Sequence, residues 1–241
     1  MRLDLFLSEN NFAETRTRAK NLIELGRVTV NDTVCLKPSY SVTESDKICI
    51  TEDYHASLGG LKLEKAFADF QPNIDNKVCL DLGAANGGFT EILLNNSAGT
   101  VYALDIGVCA LPARLIADKR VKVMEKTNAR YIKKNDFDNN IDFISGDLSF
   151  ISLKYILPVA YAILEYGGTA VFLIKPQFEL NKKLLPKSGI VKDEKTRLKI
   201  VNDIKKFATE LGFSGIKTTE APHPFIDKNQ EYLLYLEKNR Q

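Results

Sequence analysis

The feature that most constrains this chain is the run Val78-Cys79-Leu80-Asp81-Leu82-Gly83-Ala84-Ala85-Asn86-Gly87-Gly88-Phe89, an apolar strand that breaks into a glycine-rich turn at the start of a helix. Such a junction belongs to folds that alternate strands and helices, and ligands bind there just beyond the carboxyl end of the strand. The sequence after it keeps the alternation. Candidate strands fall at residues 77–82, 100–105, 121–125, 141–145, 169–174, 215–220 and 232–237, with helical stretches between most of them. The expected fold is therefore α/β, a Rossmann-like doubly wound sheet of seven mostly parallel strands with one late antiparallel strand.

Ahead of that region, residues 2–50 read as a short helix, a second helix and short strands, with Val28-Thr29-Val30 leading into an Asn31-Asp32 turn. The expected organisation is a small α/β domain over 1–50, a linker over 51–60 ending in Gly59-Gly60, and a larger domain over 61–241 that opens with a helix at 61–70. With 241 residues, 44% of them hydrophobic, the chain can bury both cores without disulfide or metal staples. The second helix, at 15–25, puts Arg16 and Lys20 one turn apart beside an apolar stripe of Ala19, Leu22 and Ile23, and Gly26 supplies its stop.

Charge is locally rather than globally informative. The net charge is only +2, and the first fifty residues balance seven basic against seven acidic side chains. Residues 15–27, however, hold four basic groups and one acidic, a strip suited to phosphate contacts. From charge alone a solvated helix face is the better reading. Cys35, Cys49, Cys79 and Cys109 are widely spaced, with no Cys-x-x-Cys pair, so reduced thiols and no metal site are expected. The N-terminus lacks the pattern of a signal sequence. The most apolar window, 161–174, is broken by Glu165 and Gly167-Gly168 and is too short to span a bilayer. These features lead us to expect a cytoplasmic protein with no membrane contact.

At the glycine-rich turn, Asp81, Gly83, Ala84, Asn86, Gly87 and Phe89 are the candidate cofactor residues, and Asp105, at the end of the next strand, is placed to hydrogen-bond a ribose diol. The turn lacks the Gly-x-Gly-x-x-Gly spacing that seats a pyrophosphate on a helix N-terminus. A strand-terminal Asp81 also suits a cationic ligand without phosphate, which favours S-adenosylmethionine.

Methylating a ribose 2′-hydroxyl requires that hydroxyl to be aligned and relieved of its proton, and lysines flanked by carboxylates form a suitable apparatus. A lysine whose pKa is depressed by burial or a neighbouring cation serves as base. Candidates are Lys62 in Gly59-Gly60-Leu61-Lys62-Leu63, Asp147 in Asp147-Leu148-Ser149-Phe150, Lys175 in Lys175-Pro176-Gln177-Phe178-Glu179, and Glu231 in Asn229-Gln230-Glu231-Tyr232-Leu233. Taken singly, each reads as an ordinary surface residue.

Two resemblances raise their weight. The string Thr15-Arg16-x-x-Ala19-x-x-Leu22-Ile23-x-x-Gly26-x-Val28-x-Val30-Asn31, followed by Lys37-Pro38, resembles the S-four-type RNA-binding module. Lys62, Asp147, Lys175 and Glu231 together resemble the Lys-Asp-Lys-Glu tetrad of FtsJ-like 2′-O-methyltransferases. The words Ser149-Phe150-Ile151-Ser152-Leu153 and Lys175-Pro176-Gln177-Phe178-Glu179 resemble the TlyA family, also called haemolysin A, over nearly the full length.

The likeness implies a class I methyltransferase domain behind an RNA-binding domain. The implied activity is S-adenosylmethionine-dependent methylation of a cytidine 2′-hydroxyl in ribosomal RNA. The short ends of the chain resemble family members that act on large-subunit (23S) RNA, with small-subunit (16S) RNA as a second target. Lys175 would be the base or hydroxyl-orienting residue, Lys62 its electrostatic partner, and Asp147 and Glu231 the groups that hold them. Asn128, in Glu125-Lys126-Thr127-Asn128-Ala129-Arg130, would contact the adenosyl group.

On the same likeness Arg16, Arg18, Lys20, Arg27 and Lys37 would bind RNA, with ribosomal subunits as partners of a monomeric enzyme. The sequence departs from the family pattern at Leu58, where Arg usually precedes Gly-Gly, at Ala85-Asn86, where Ser-Thr is usual, and at His223-Pro224-Phe225-Ile226-Asp227, where a glycine-containing segment is usual. The rival readings are a catalytically weak RNA-binding factor and a membrane-lytic haemolysin. The latter would need an amphipathic or spanning segment that the sequence lacks.

Overall fold

The computed structural model describes residues 1–13, 15–24, 26–50, 59–181, 184–222 and 228–239. The chain divides into two compact units, Met1–Tyr54 and His55–Gln241. Most of the expected linker, Leu58, the end of the second helix at Leu25 and the stretch 223–227 lie outside the described residues.

The first unit carries helices α1 (Leu3–Glu9) and α2 (Arg16–Glu24) and strands β1 (Val28–Val30), β2 (Thr33–Val34) and β3 (Ile48–Ile50), paired antiparallel in the order β2-β1-β3. Asn31 and Asp32 both adopt left-handed backbone, at φ 51° and 63°, which is the turn geometry that closes a two-residue hairpin. The stripe Ala19, Leu22 and Ile23 packs with Leu3, Leu7, Val28, Val30 and Val42. Gly26, at φ 69°, donates its N–H to the Ile23 carbonyl and ends α2.

Beneath this core edge lies Asp4, 3% exposed. Arg2 Nε and Arg16 Nε donate to its two oxygens at 2.9 and 3.0 Å. The Arg2 hydrogen bond, followed by that of Arg16, outweighs the cost of burial and pulls the carboxyl down to about 2.

In the second unit the strands β4 (Val78–Leu82), β5 (Thr100–Leu104), β6 (Val121–Met124), β7 (Ile141–Gly146), β8 (Leu164–Ile174), β9 (Ser214–Glu220) and β10 (Tyr232–Glu237) form one sheet in the order β6-β5-β4-β7-β8-β10-β9. Strand β10 runs antiparallel to both its neighbours, and the pairs from β6 to β8 are parallel. Alternation along the strands sends Leu80, Leu82, Leu104, Ile144, Phe172 and Leu234 to one face and Cys79, Val101, Phe143, Val171, Leu173 and Leu233 to the other. Helices α6 (Leu157–Ile163) and α8 (Glu194–Leu211) cover the first face, and α3 (Gly59–Phe70) and α4 (Gly88–Asn95) the second. Two short helices, α5 (Ala113–Ile116) and α7 (Pro176–Glu179), complete the unit.

Strand β8 starts at Leu164, five residues before the sequence suggests, because Gly167 (φ 84°) and Gly168 sit in an irregularity rather than a turn. The β7–β8 register shifts there, from Ile141↔Leu164 to Phe143↔Thr169. The consequential feature is the reversal of strand order at β4, which has β5 on one side and β7 on the other. It opens a crevice at the carboxyl ends of β4 and β7, where Gly83 and Asp147 begin their loops.

Because Arg16 is tied to Asp4, Arg16→Glu should set two carboxylates against each other and loosen the first unit. Amide hydrogen exchange across residues 3–24 checks this: protection should drop in Arg16→Glu and persist in Lys37→Glu, whose side chain is exposed. Equal protection in both variants would show that the Arg16–Asp4 pair contributes nothing.

Candidate active site

Strand register explains why residues far apart in sequence meet. Leu82 pairs with Gly146, so Asp147 follows directly beside the end of β4, and its N–H donates to the Leu82 carbonyl at 3.0 Å. Tyr232 pairs antiparallel with Ile174, which brings Glu231 and Lys175 to the same sheet edge. Lys62 comes from the first turn of α3. Lys62 Nζ donates to Glu231 Oε2 at 2.7 Å and to Asp147 Oδ2 at 3.3 Å. Lys175 Nζ pairs with Asp147 Oδ1 at 2.6 Å and donates to Ser149 Oγ at 3.0 Å. All four candidate catalytic residues thus form one chain of charge, Glu231–Lys62–Asp147–Lys175, with Asp147 shared by two ammonium groups.

The electrostatics follow from that sharing. Burial opposes the charge of Asp147, but Lys62 and Lys175 together outweigh it and hold the carboxyl below the ordinary aspartate range. Burial opposes the charge of Lys62 too, yet Asp147 and Glu231 keep it above the ordinary lysine value. The idea of burial making a basic, neutral amine therefore fails for Lys62, because two carboxylates face it.

Next to the network lies a cavity of about 550 Å³, lined by Gly83, Ala85, Asp105, Ile106, Thr127, Asn128, Arg130, Asp147, Leu148, Ser149, Phe150 and neighbours. Gly83 stands at φ 87°, and a Cβ there would lie 2.7 Å from the Asp147 carbonyl oxygen, so only glycine lets the β4 and β7 loops approach this closely. The Asp105 carboxylate accepts the N–H of Ala85 at 3.1 Å and that of Gly107 at 2.8 Å, which fixes it in the cavity wall. Asn128 accepts from the Arg130 N–H at 3.0 Å, ordering the loop that faces Asp105.

Of the other residues nominated for the cofactor, Asp81, Ala84, Asn86, Gly87 and Phe89 are outside this lining. Gly87 is turned inward against Leu111 and Leu115, and Phe89 is part of the core. Asp81 is 0% exposed: strand alternation points it at α4, where Thr90 Oγ1 donates to it at 2.7 Å and Ser145 Oγ at 3.3 Å. Its carboxylate lies beneath the loop, bonded to Thr90 and Ser145.

Sequence reasoning assigned no role to Ser149, Thr127, Ile106, Thr90 or Ser145. The usable signal for Thr90 is a hydroxyl in the first turn of a mostly apolar helix, nine residues after a strand carboxylate. Ring contacts also border the cavity. The Arg130 guanidinium sits 4.6 Å from the Tyr155 ring, and Phe150, 90% exposed, packs its ring 5.0 Å from that of Phe178.

The five basic residues nominated for RNA contact are spread along α2 and beyond it. Arg16 is engaged with Asp4, and Lys20 lies 3.5 Å from Glu24. Arg27 is half-buried and Lys37 exposed in the loop after β2.

Asp81 supplies a test of this reading of the strand. Burial pushes its carboxyl up to about 7, against the donation of Thr90 and Ser145. A folded value above the unfolded one, about 4, means that wild-type stability declines as pH rises from about 4 to about 7 and then levels. Asp81→Asn should lack that decline, so chemical unfolding at about pH 5 and about pH 8 should show the variant gaining on the wild type at the higher pH. A gap independent of pH would show that the carboxyl is not held in its neutral form.

Comparison with known proteins gives the family of both units. Residues 56–238 match the FtsJ-like methyltransferase family and residues 1–48 match the S4 domain. Hemolysin A of Brachyspira hyodysenteriae is 37% identical over 98% of this chain and 99% of its own. The 16S/23S rRNA (cytidine-2′-O)-methyltransferase TlyA of Mycobacterium tuberculosis is 34% identical over 98% of this chain and 89% of its own. A solved structure from Streptococcus thermophilus, 36% identical, superimposes with a TM-score of 0.78 over 100% of this chain and 89% of that one. The protein belongs to the TlyA and hemolysin A family, an FtsJ-like methyltransferase behind an S4 domain.

Proposed function

We propose that this protein transfers a methyl group from S-adenosylmethionine to a cytidine 2′-hydroxyl of ribosomal RNA. The observation that carries the reading is the network Glu231–Lys62–Asp147–Lys175 opening onto the cavity whose wall holds Asp105. The relative from Mycobacterium tuberculosis, named for cytidine-2′-O-methylation of 16S and 23S rRNA, supports the same chemistry. On this reading 1–50 docks RNA, 61–241 catalyses, and one chain suffices as a monomer because it supplies the whole network. Its substrate places its work in the cytoplasm. Among the described residues no helix is long and apolar enough to cross a membrane.

The cavity fits the cofactor chemically. Asp105 offers carboxylate oxygens to a ribose diol, Asn128 and Thr127 face it, and Arg130 is the one basic side chain among the described lining residues, as suits a ligand without phosphate. When bound, S-adenosylmethionine supplies an electrophilic methyl on a sulfonium. The protein's part is to present the hydroxyl. Lys175, held by Asp147 and Ser149, donates to the hydroxyl oxygen and aims its lone pair, while Lys62 and Glu231 keep Asp147 in place. The hydroxyl proton, lost as the methyl arrives, passes to water or to Lys175 acting as base. A rate that rises with pH marks base catalysis, and a level rate marks orientation alone.

Labelled methyl transfer to separated ribosomal subunits from cells lacking the protein tests the reading, with the modified nucleotide mapped. Label should appear on a ribose, and its subunit identifies the target RNA. Lys175→Ala should lower the rate by about 100-fold or more and leave cofactor affinity unchanged. Absence of cofactor binding in the wild type would instead favour a non-catalytic RNA-binding factor. For docking, Arg27→Ala with Lys37→Ala should weaken RNA binding and reduce its salt slope by about 2. An unchanged slope would place RNA docking elsewhere.

A further inference from the structure

The loop after β7 is tied to the segment after β8 at two places, and the second tie stands outside the charged network. The first joins Lys175 to Asp147 and Ser149. The second is made by Glu179, at the end of α7. Its Oε2 accepts the Ser152 hydroxyl at 2.5 Å and its Oε1 the Leu153 N–H at 2.8 Å. Ser152 Oγ in turn accepts the Lys154 N–H at 3.2 Å. Ser152 is the N-cap of the 3-10 turn Leu153–Tyr155, so the carboxylate and the hydroxyl between them satisfy the two leading amides of that turn.

Between the two ties stands Phe150, in left-handed backbone at φ 63° although it is not glycine. Its side chain is 90% exposed, so burial does not hold it there. A non-glycine residue persists in that region only where its surroundings hold it. The surroundings here are the two ties and the ring of Phe178, which lies between Lys175 and Glu179 in the chain.

We propose that Glu179 is a positioning residue for methyl transfer: by fixing Ser152 and Leu153 it holds the loop 147–153 in the register that puts Ser149 and Asp147 on Lys175. The inference rests on the methyltransferase reading above. Losing the carboxylate frees two donors and lets Phe150 relax to ordinary backbone. Ser149 then leaves Lys175, whose ammonium keeps a single partner and aims less sharply at the substrate hydroxyl. Glu179 touches no reacting atom, so its effect falls on turnover more than on RNA capture.

Glu179→Ala should lower kcat by about 10- to 100-fold, the range for residues that support others in a site, with KM for RNA within about threefold. Glu179→Gln, which still accepts the Leu153 N–H and reaches the Ser152 hydroxyl, should recover kcat to within about threefold of wild type. Glu179→Ala combined with Ser152→Ala should be no slower than Glu179→Ala alone, because both act through one tie.

A wild-type kcat in Glu179→Ala, an equal loss in Glu179→Gln, or independent losses in the double variant would overturn the proposal. Amide exchange at residues 149–154 gives a readout that needs no turnover: exchange should be faster in Glu179→Ala than in Glu179→Gln, and equal exchange would overturn the tie itself. If the wild type transfers no methyl group to any ribose, the functional reading fails, and the exchange data still decide whether Glu179 holds the loop.

Discussion

The second unit is organised around one shared carboxylate. Asp147 lies at the switch in strand order, with Lys62 on one oxygen and Lys175 on the other. Taking a carboxylate out of water is costly unless cations and hydrogen bonds replace the lost hydration. Two lysines do so here, and Glu231 balances the second positive charge. The same pairing fixes α3, the β7 loop, the β8 end and the start of β10 relative to one another. Loss of one member leaves a buried charge without its partner, which is why the site behaves as a unit.

The cofactor cavity depends on the same junction. Gly83 permits the β4 loop to pass against the Asp147 carbonyl, and Asp105 braces that loop through the Ala85 amide. Asp81, central in the motif, is buried below the loop. It anchors the strand ends to α4 through Thr90 and to β7 through Ser145, with Asp81 and Ser145 in direct register. The neutral form favoured by its burial also limits repulsion with Asp147 nearby.

Much of this was legible in the sequence because it is local. Strand positions follow from apolar runs bounded by turns, and Asn31-Asp32 and Gly26 announce their backbone conformations. Long-range pairing is not local. Lys62 and Glu231 stand 169 residues apart and meet through sheet register, so their motifs nominate them without showing the partner. The place of Asp81 in the turn motif nominates it as a ligand contact, while alternation with Leu80 and Leu82 sets its side-chain direction toward α4. The charge of Arg16 is evident in the sequence, whereas its ion pair with the buried Asp4 twelve residues earlier appears only in the fold. Gly167-Gly168 suggests a strand boundary in the sequence because a bulge and a turn use the same residues, and β8 runs through it.

The most direct measurement is a crystal structure of the protein with S-adenosylmethionine bound. The ribose hydroxyls should lie on Asp105, the adenosyl group beside Asn128, and the sulfonium methyl should point at the space in front of Lys175 and Asp147. A cofactor seated away from Asp105, or with its methyl turned from the lysine–aspartate pair, would contradict the assignment of the network to methyl transfer.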